Sequence, residues 1–245
     1  MRFVLGFCFF MCVSCLGYSI EFRPMSVTFA PDGRGATQSF QVSNPSATEK
    51  AAVHLFIGDR AVDAVGNDTF EENDDAFVIY PPQMILQPGE TQMARVTWVG
   101  NQDIESEHAY RIIAEQLPID LKERNADGKA SIRILMRFVG SIYVTPYDST
   151  AEISLASAFE DTDEGSVLSL SFENSGTRHA HLRDLNIYIS SLEEEGEKLH
   201  LSPDDLEGIS GENILAGNTR TFSIPAPVGL TNDVCEVTFS YSKEG

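Results

Sequence analysis

The sequence predicts an all-β protein of two Ig-like β-sandwich domains. Apolar residues alternate with period two along most of the chain, turn-forming residues close each alternating run, and helical spacing is absent from the same stretches. The 245 residues are 42% hydrophobic, enough for two separate cores and too much for a disordered chain. Lys and Arg total 17 against 37 Asp and Glu, a formal charge of -20, so the field of the protein repels polyanions and nucleic acid is excluded as a partner.

Residues 1–19 are expected to be a signal peptide outside the fold. Arg2 gives a short positive region and residues 3–13 are nearly all apolar, a run too short to cross a bilayer as a helix. Small residues at Ser14, Gly17 and Ser19 place cleavage after Gly17 or Ser19. Cys15 invites a lipoprotein reading, but Cys12 stands where a branched aliphatic is wanted. No later stretch is long and apolar enough for a transmembrane helix, so an exported mature chain is expected. Cys8, Cys12 and Cys15 leave with the segment, and Cys235, on an alternating stretch, reads as a small core residue rather than a nucleophile.

From residue 25 the strands follow in order. Val27 and Phe29 precede Pro31-Asp-Gly; Phe40 and Val42 precede Asn44-Pro-Ser; Val53, Leu55 and Ile57 precede Gly58-Asp. Residues 66–75, with Asp68, Glu71, Glu72, Asp74 and Asp75, read as a solvated hairpin tip without the ligand order of a calcium loop. Residues 77–80, 84–86, 93–99 and 110–117 are further strands, and residues 131–144 form the last one before Pro146. The pattern then resumes more weakly at Ile153 and Leu155, and in residues 167–172, 182–189, 198–201, 221–224 and 234–241. Pro146 and the polar residues after it mark the boundary, giving domains at 20–146 and 147–245.

The strand over residues 131–144 has an unusual composition. Ile132, Ile134, Met136 and Phe138 share one face, which continues through Gly140, Ile142 and Val144. Such a row belongs either to a core strand or to an edge kept for a partner.

Four stretches in order, Gln41-Val-Ser-Asn, Tyr80-Pro-Pro-Gln-Met-Ile-Leu-Gln-Pro-Gly-Glu, Tyr110-Arg-Ile-Ile-Ala-Glu-Gln-Leu-Pro and the strand ending Val144-Thr-Pro, resemble the periplasmic chaperones of chaperone-usher pili. The resemblance is carried by residues 25–146. It implies two Ig-like domains in an L-shaped arrangement, located in the periplasm. Such a chaperone donates its last first-domain strand to a pilus or fimbrial subunit and hands that subunit to an outer-membrane usher. It implies no enzyme activity and no cofactor. Ile132, Ile134, Met136 and Phe138 fall on the donated row. The family's Arg and Lys, which hold the subunit's terminal carboxylate, are replaced at the matching positions by Ser26 and Ser141. Arg23 and Arg137 are the nearest basic candidates for that anchor, and the chain reads as a divergent branch.

Two other readings compete. One is a secreted Ig-like adhesion or structural module. The other is a metalloenzyme, for which His179 and His181 supply the two ligands of suggestive spacing and no third is evident. No nucleophile elbow, phosphate loop or Cys-x-x-Cys is present, and no metal site is expected.

Overall fold

A computed structural model describes residues 20–73, 75–119, 134–162, 165–192, 198–227 and 235–243. The expected signal peptide, Ile132 and the acidic residues 193–197 lie outside these. Strands dominate, and no α-helix occurs among the described residues.

The first sandwich contains β1 (Glu21–Arg23), β2 (Ser26–Phe29), β3 (Thr37–Ser43), β4 (Ala51–Val62), β5 (Asp68–Glu72), β6 (Phe77–Tyr80), β7 (Gln83–Leu86), β8 (Thr91–Trp98), β9 (His108–Leu117) and β10 (Arg137–Val144). One sheet runs β1-β3-β8-β6, and the other runs β2-β10-β9-β4-β5 with β7 also on β4. The alternation explains the layers. Phe40 and Val42 of β3, Ala94 and Val96 of β8, and Val53, Leu55 and Ile57 of β4 are buried between the sheets. β9 is apolar on both sides: Ile112 and Ala114 enter the core, while Ile113 is buried on the opposite face. Pro24, which lacks an N–H, separates β1 in the first sheet from β2 in the second, so Arg23 and Ser26 belong to different sheets.

The second sandwich contains β11 (Ile153–Thr162), β12 (Gly165–Asn174), β13 (Ala180–His181), β14 (Arg183–Ser191), β15 (Lys198–Leu201), β16 (Asn213–Ile214), β17 (Thr219–Pro225) and β18 (Cys235–Ser242). Its sheets run β11-β12-β17 and β15-β14-β18, with β13 and β16 paired separately. Leu168, Leu170 and Phe172 of β12 face Leu185, Ile187 and Ile189 of β14 in a second core that shares no residue with the first.

Two expectations are corrected in detail. β5 begins at Asp68, so much of the acidic stretch is a paired strand against β4 instead of a solvated tip. Pairing along the last strand begins at Arg137; residues 134–136 are irregular, although Gln116 N still donates to Met136 O at 2.9 Å.

Side chains tie the two sandwiches together. The Glu107 side chain, only 1% exposed, accepts from Thr145 Oγ1 at 2.7 Å and from the His179 backbone N–H at 3.1 Å, and its Oε1 lies 2.6 Å from His179 Nδ1. The His179 ring stacks on Tyr143 at 3.9 Å, and Asn213 Nδ2 donates to the Tyr143 hydroxyl at 2.7 Å. The turn between β4 and β5 reaches across as well: Thr221 N donates to Ala64 O, and Asn218 Nδ2 to Val62 O. Gly66 has φ +97°, and a Cβ there would run into the Arg220 guanidinium, so glycine is required both by the turn and by the docking.

Candidate functional site: an open strand edge and an arginine pair

Among the described strands, β10 has a neighbour along its whole length on one side only. β9 pairs with all of Arg137–Val144, whereas β2, running parallel, pairs only from Ser141 to Val144. Ser141 N donates to Met25 O at 2.8 Å and Thr145 N to Phe29 O at 2.9 Å, so odd-numbered amides point toward β2. By the strand's period of two, the Arg137 and Val139 amides point the same way, onto an edge where no described strand pairs with them. Unpaired backbone donors and acceptors on a strand edge are a template for another chain.

The side chains of β10 run from core to solvent. Ile142 and Val144 are fully buried, Phe138 and Met136 are half-buried against the same core, and Ile134 is 76% exposed. One face therefore continues from the sandwich interior beyond its margin. Leu135 and Val139, on the other face, are exposed too. A stretch this apolar next to an open edge is what soluble monomers normally avoid.

Ser26 and Ser141 are direct cross-strand partners, and Arg111 of β9 is the partner of Ser141 on its other side. Arg111 Nη1 donates to Ser141 Oγ at 2.6 Å, while its Nη2 forms a very short ion pair with Asp68. Arg60 of β4 donates from Nη2 to Asp68 Oδ2 at 2.7 Å and from Nη1 to the Tyr143 hydroxyl at 3.2 Å. Arg60 and Arg111 are 8% and 16% exposed, so two guanidinium groups stand nearly buried around one carboxylate with a net positive charge. A guanidinium carries five N–H donors, and each arginine commits three of its own, through Nε, Nη1 and Nη2. Two remain on each, a donor set suited to one further carboxylate.

Burial alone pushes the Asp68 carboxyl up, but hydrogen bonds and charge from Arg60 and Arg111 outweigh it and hold it below 3.8. A depressed folded-state value means that Asp68 stabilises the cluster fully above the ordinary carboxylate range and that this contribution is lost as pH falls through the folded value. The expected NMR titration midpoint of Asp68 is therefore below 3.8; a midpoint at or above it would show that the arginines do not hold this carboxylate.

Ser26 and Ser141 thus lie beside this cluster, whereas the two basic anchor candidates read from the sequence lie away from it. The Arg23 side chain is 74% exposed and 3.9 Å from Glu21. Arg137 lies over the Phe56 and Phe70 rings at 5.8 and 5.5 Å. Arg60, Arg111 and Asp68 were not singled out by the sequence reading. The available signal was Arg111 itself, a charge inside the buried run Tyr110-Arg-Ile-Ile-Ala, since such a residue is rarely buried without a purpose. His179 is committed to Glu107, His181 stands edge-on to it at 5.3 Å, and no group of three metal-ligating side chains occurs among the described residues. Burial pushes the Cys235 thiol up, away from the reactive thiolate.

A sequence profile described as the pili and flagellar-assembly chaperone PapD N-terminal domain matches residues 20–146. The chain belongs to this pilus chaperone family. No curated protein matches the sequence. Among solved structures, the pilus chaperone resembles a chain of a chaperone-tip adhesin complex of CFA/I fimbriae biogenesis, at 15% identity and TM-score 0.58, over 91% of this chain and 94% of the other. It also resembles a chain of the CsuC-CsuE chaperone-tip adhesion subunit complex of Acinetobacter baumannii Csu pili, at 14% identity and TM-score 0.53, over 84% and 90%. The chaperone YadV matches at 9% identity and TM-score 0.57, over 93% and 94%. At these identities the likeness carries the fold, two Ig-like domains, while the family rests on the profile match.

Proposed function

We propose that this chaperone acts in the periplasm, after export by residues 1–19, and captures pilus or fimbrial subunits by lending them the strand that starts with Ile132, Ile134, Met136 and Phe138. The observation that carries the reading is the edge of β10 at Arg137 and Val139, with which no described strand pairs, beside a row whose outermost described member, Ile134, stands in solvent. Backbone hydrogen bonds to a strand-deficient subunit supply affinity, and alternate side chains filling its groove supply register. The Arg60 and Arg111 pair, held by Asp68 beside Ser141, receives the subunit's terminal carboxylate in the place where the family has its Arg and Lys. Transfer to an outer-membrane usher completes the cycle, and no step requires a catalytic group.

The test is co-expression with strand-deficient pilus subunits of the same organism. The expected result is a one-to-one complex that survives size exclusion, with the subunit insoluble when the chaperone is omitted. Purification of the chaperone alone, with the subunit equally soluble in either case, would contradict the reading.

A further inference from the structure

The second sandwich holds a cavity whose charge runs against that of the chain. Acidic residues outnumber basic ones by 37 to 17. Yet this cavity, of about 310 Å³, has Arg178, His181 and Lys243 in its wall and no acidic residue among its described lining. Glu152 lines the adjoining groove between β11 and β18 instead. The Arg178 guanidinium and the Lys243 ammonium make no ion pair or hydrogen bond among the described residues, and the half-buried Tyr241 hydroxyl makes no hydrogen bond among them either. All three are donors, and donors that converge on a cavity without satisfying one another are complementary to an acceptor that fills it. The backbone fixes this wall in place. Thr177 N and Arg178 N both donate to Thr150 O, at 2.8 and 3.1 Å, and Thr150 N donates to Thr177 Oγ1 at 3.2 Å. A Cβ on Gly176 would run into the backbone of Thr150 and Glu152, so glycine lets the turn after β12 lie against the segment entering β11. The turn carrying Arg178 is thereby tied to the segment carrying Ala151, while Tyr241 comes from the end of β18 and Lys243 follows it.

We propose that this cavity is a binding site for a small organic anion with two carboxylates. A planar guanidinium matches one carboxylate with parallel N–H donors, and the Lys243 ammonium is a separate point charge for the second. Ala151, Ala180 and the Tyr241 ring cover a short carbon body, which an inorganic ion does not possess. The volume lies at the small end for ligand pockets and suits a molecule of a few carbons. The net charge of -20 keeps large polyanions and anionic membranes away. That field is screened beyond about 8 Å at physiological salt, so a small anion inside the cavity responds to the cations that line it. His179 belongs to the same wall and turns its ring to Glu107 of the first sandwich, which puts the site directly behind the joint between the two domains.

NMR chemical-shift titration of the full chain with succinate, citrate and inorganic phosphate, at fixed ionic strength, tests the site. The expected result is saturable shifts at Thr150, Ala180 and His181 with succinate and citrate. Arg178→Gln weakens this binding at least about tenfold, the loss expected for one charge-assisted contact. Lys243→Gln weakens it severalfold and, on an exposed position, decides the matter if Arg178→Gln does not fold. Arg95→Gln removes an exposed guanidinium from β8 of the first sandwich and leaves the binding unchanged. Arg178→Gln and Lys243→Gln leave subunit capture intact, which separates this inference from the function proposed above. The absence of saturable shifts with either carboxylate at millimolar concentration overturns the proposal, as does binding indifferent to both variants. Binding of phosphate as tight as that of the carboxylates overturns the assigned ligand class, and an effect of Arg95→Gln as large as that of Arg178→Gln reduces the binding to net charge and overturns the site.

Discussion

Arg111→Ala is expected to weaken subunit binding by about 10- to 100-fold and leave the chaperone folded. A hydrogen bond to a charged group contributes about 1.5 to 3 kcal/mol, and about 1.4 kcal/mol is a factor of ten. Removing Arg111 does not orphan Asp68, because Arg60 still donates to both of its oxygens. Amidating the subunit's C-terminus should cost the wild type at least as much as the substitution does and cost Arg111→Ala less, since only Arg60 then remains to hold the carboxylate, the coupling expected of groups in direct contact. Arg23→Ala and Arg137→Ala should change binding little, since one side chain is solvated and the other stacks on the face of Phe56 and Phe70. Titration calorimetry on the four chaperones measures all of this. A loss with Arg23→Ala or Arg137→Ala as large as with Arg111→Ala would move the anchor away from Arg60 and Arg111.

Ile134→Asp should abolish capture with little change in the chaperone's own melting temperature, because that side chain is 76% exposed in the free protein. An aliphatic group transferred into the subunit's groove contributes about 1.5 to 3 kcal/mol, and an unpaired carboxylate put in its place adds a desolvation cost of its own. Met136→Asp differs in an instructive way. Met136 already packs against the first core, so this variant should lose both subunit binding and some stability. Thermal melts alongside a pull-down separate the two effects. Unfolding of Ile134→Asp would assign the residue to the chaperone's own core and contradict the strand reading.

The sandwiches were legible because period-two alternation is a local signal: Phe40 and Val42, or Leu168, Leu170 and Phe172, announce their burial within one strand. The apolar row of Ile134, Met136 and Phe138 was legible in the same way, since it alternates in the sequence whether or not a partner is present. The anchor was not. Arg60 and Arg111 are 51 residues apart in sequence and meet through Asp68, which lay within a stretch that composition alone marks as solvated. Only the pairing of β4 with β5 and β9 brings the three together. His179 shows the same limit. Its spacing from His181 suggested metal, whereas its partner is Glu107, 72 residues earlier and in the other domain. Side-chain chemistry between strands distant in sequence depends on register, which no single strand encodes.

Amide hydrogen exchange at Arg137 and Val139, with and without bound subunit, tests the strand donation most directly. These two amides are on the edge of β10 that no described strand pairs with, whereas the even-numbered amides face β9. The account predicts rapid exchange at both positions in the free chaperone and strong protection in the complex, with little change at Ser141, which already donates to Met25. A stable complex in which Arg137 and Val139 exchange as fast as in the free protein would contradict it.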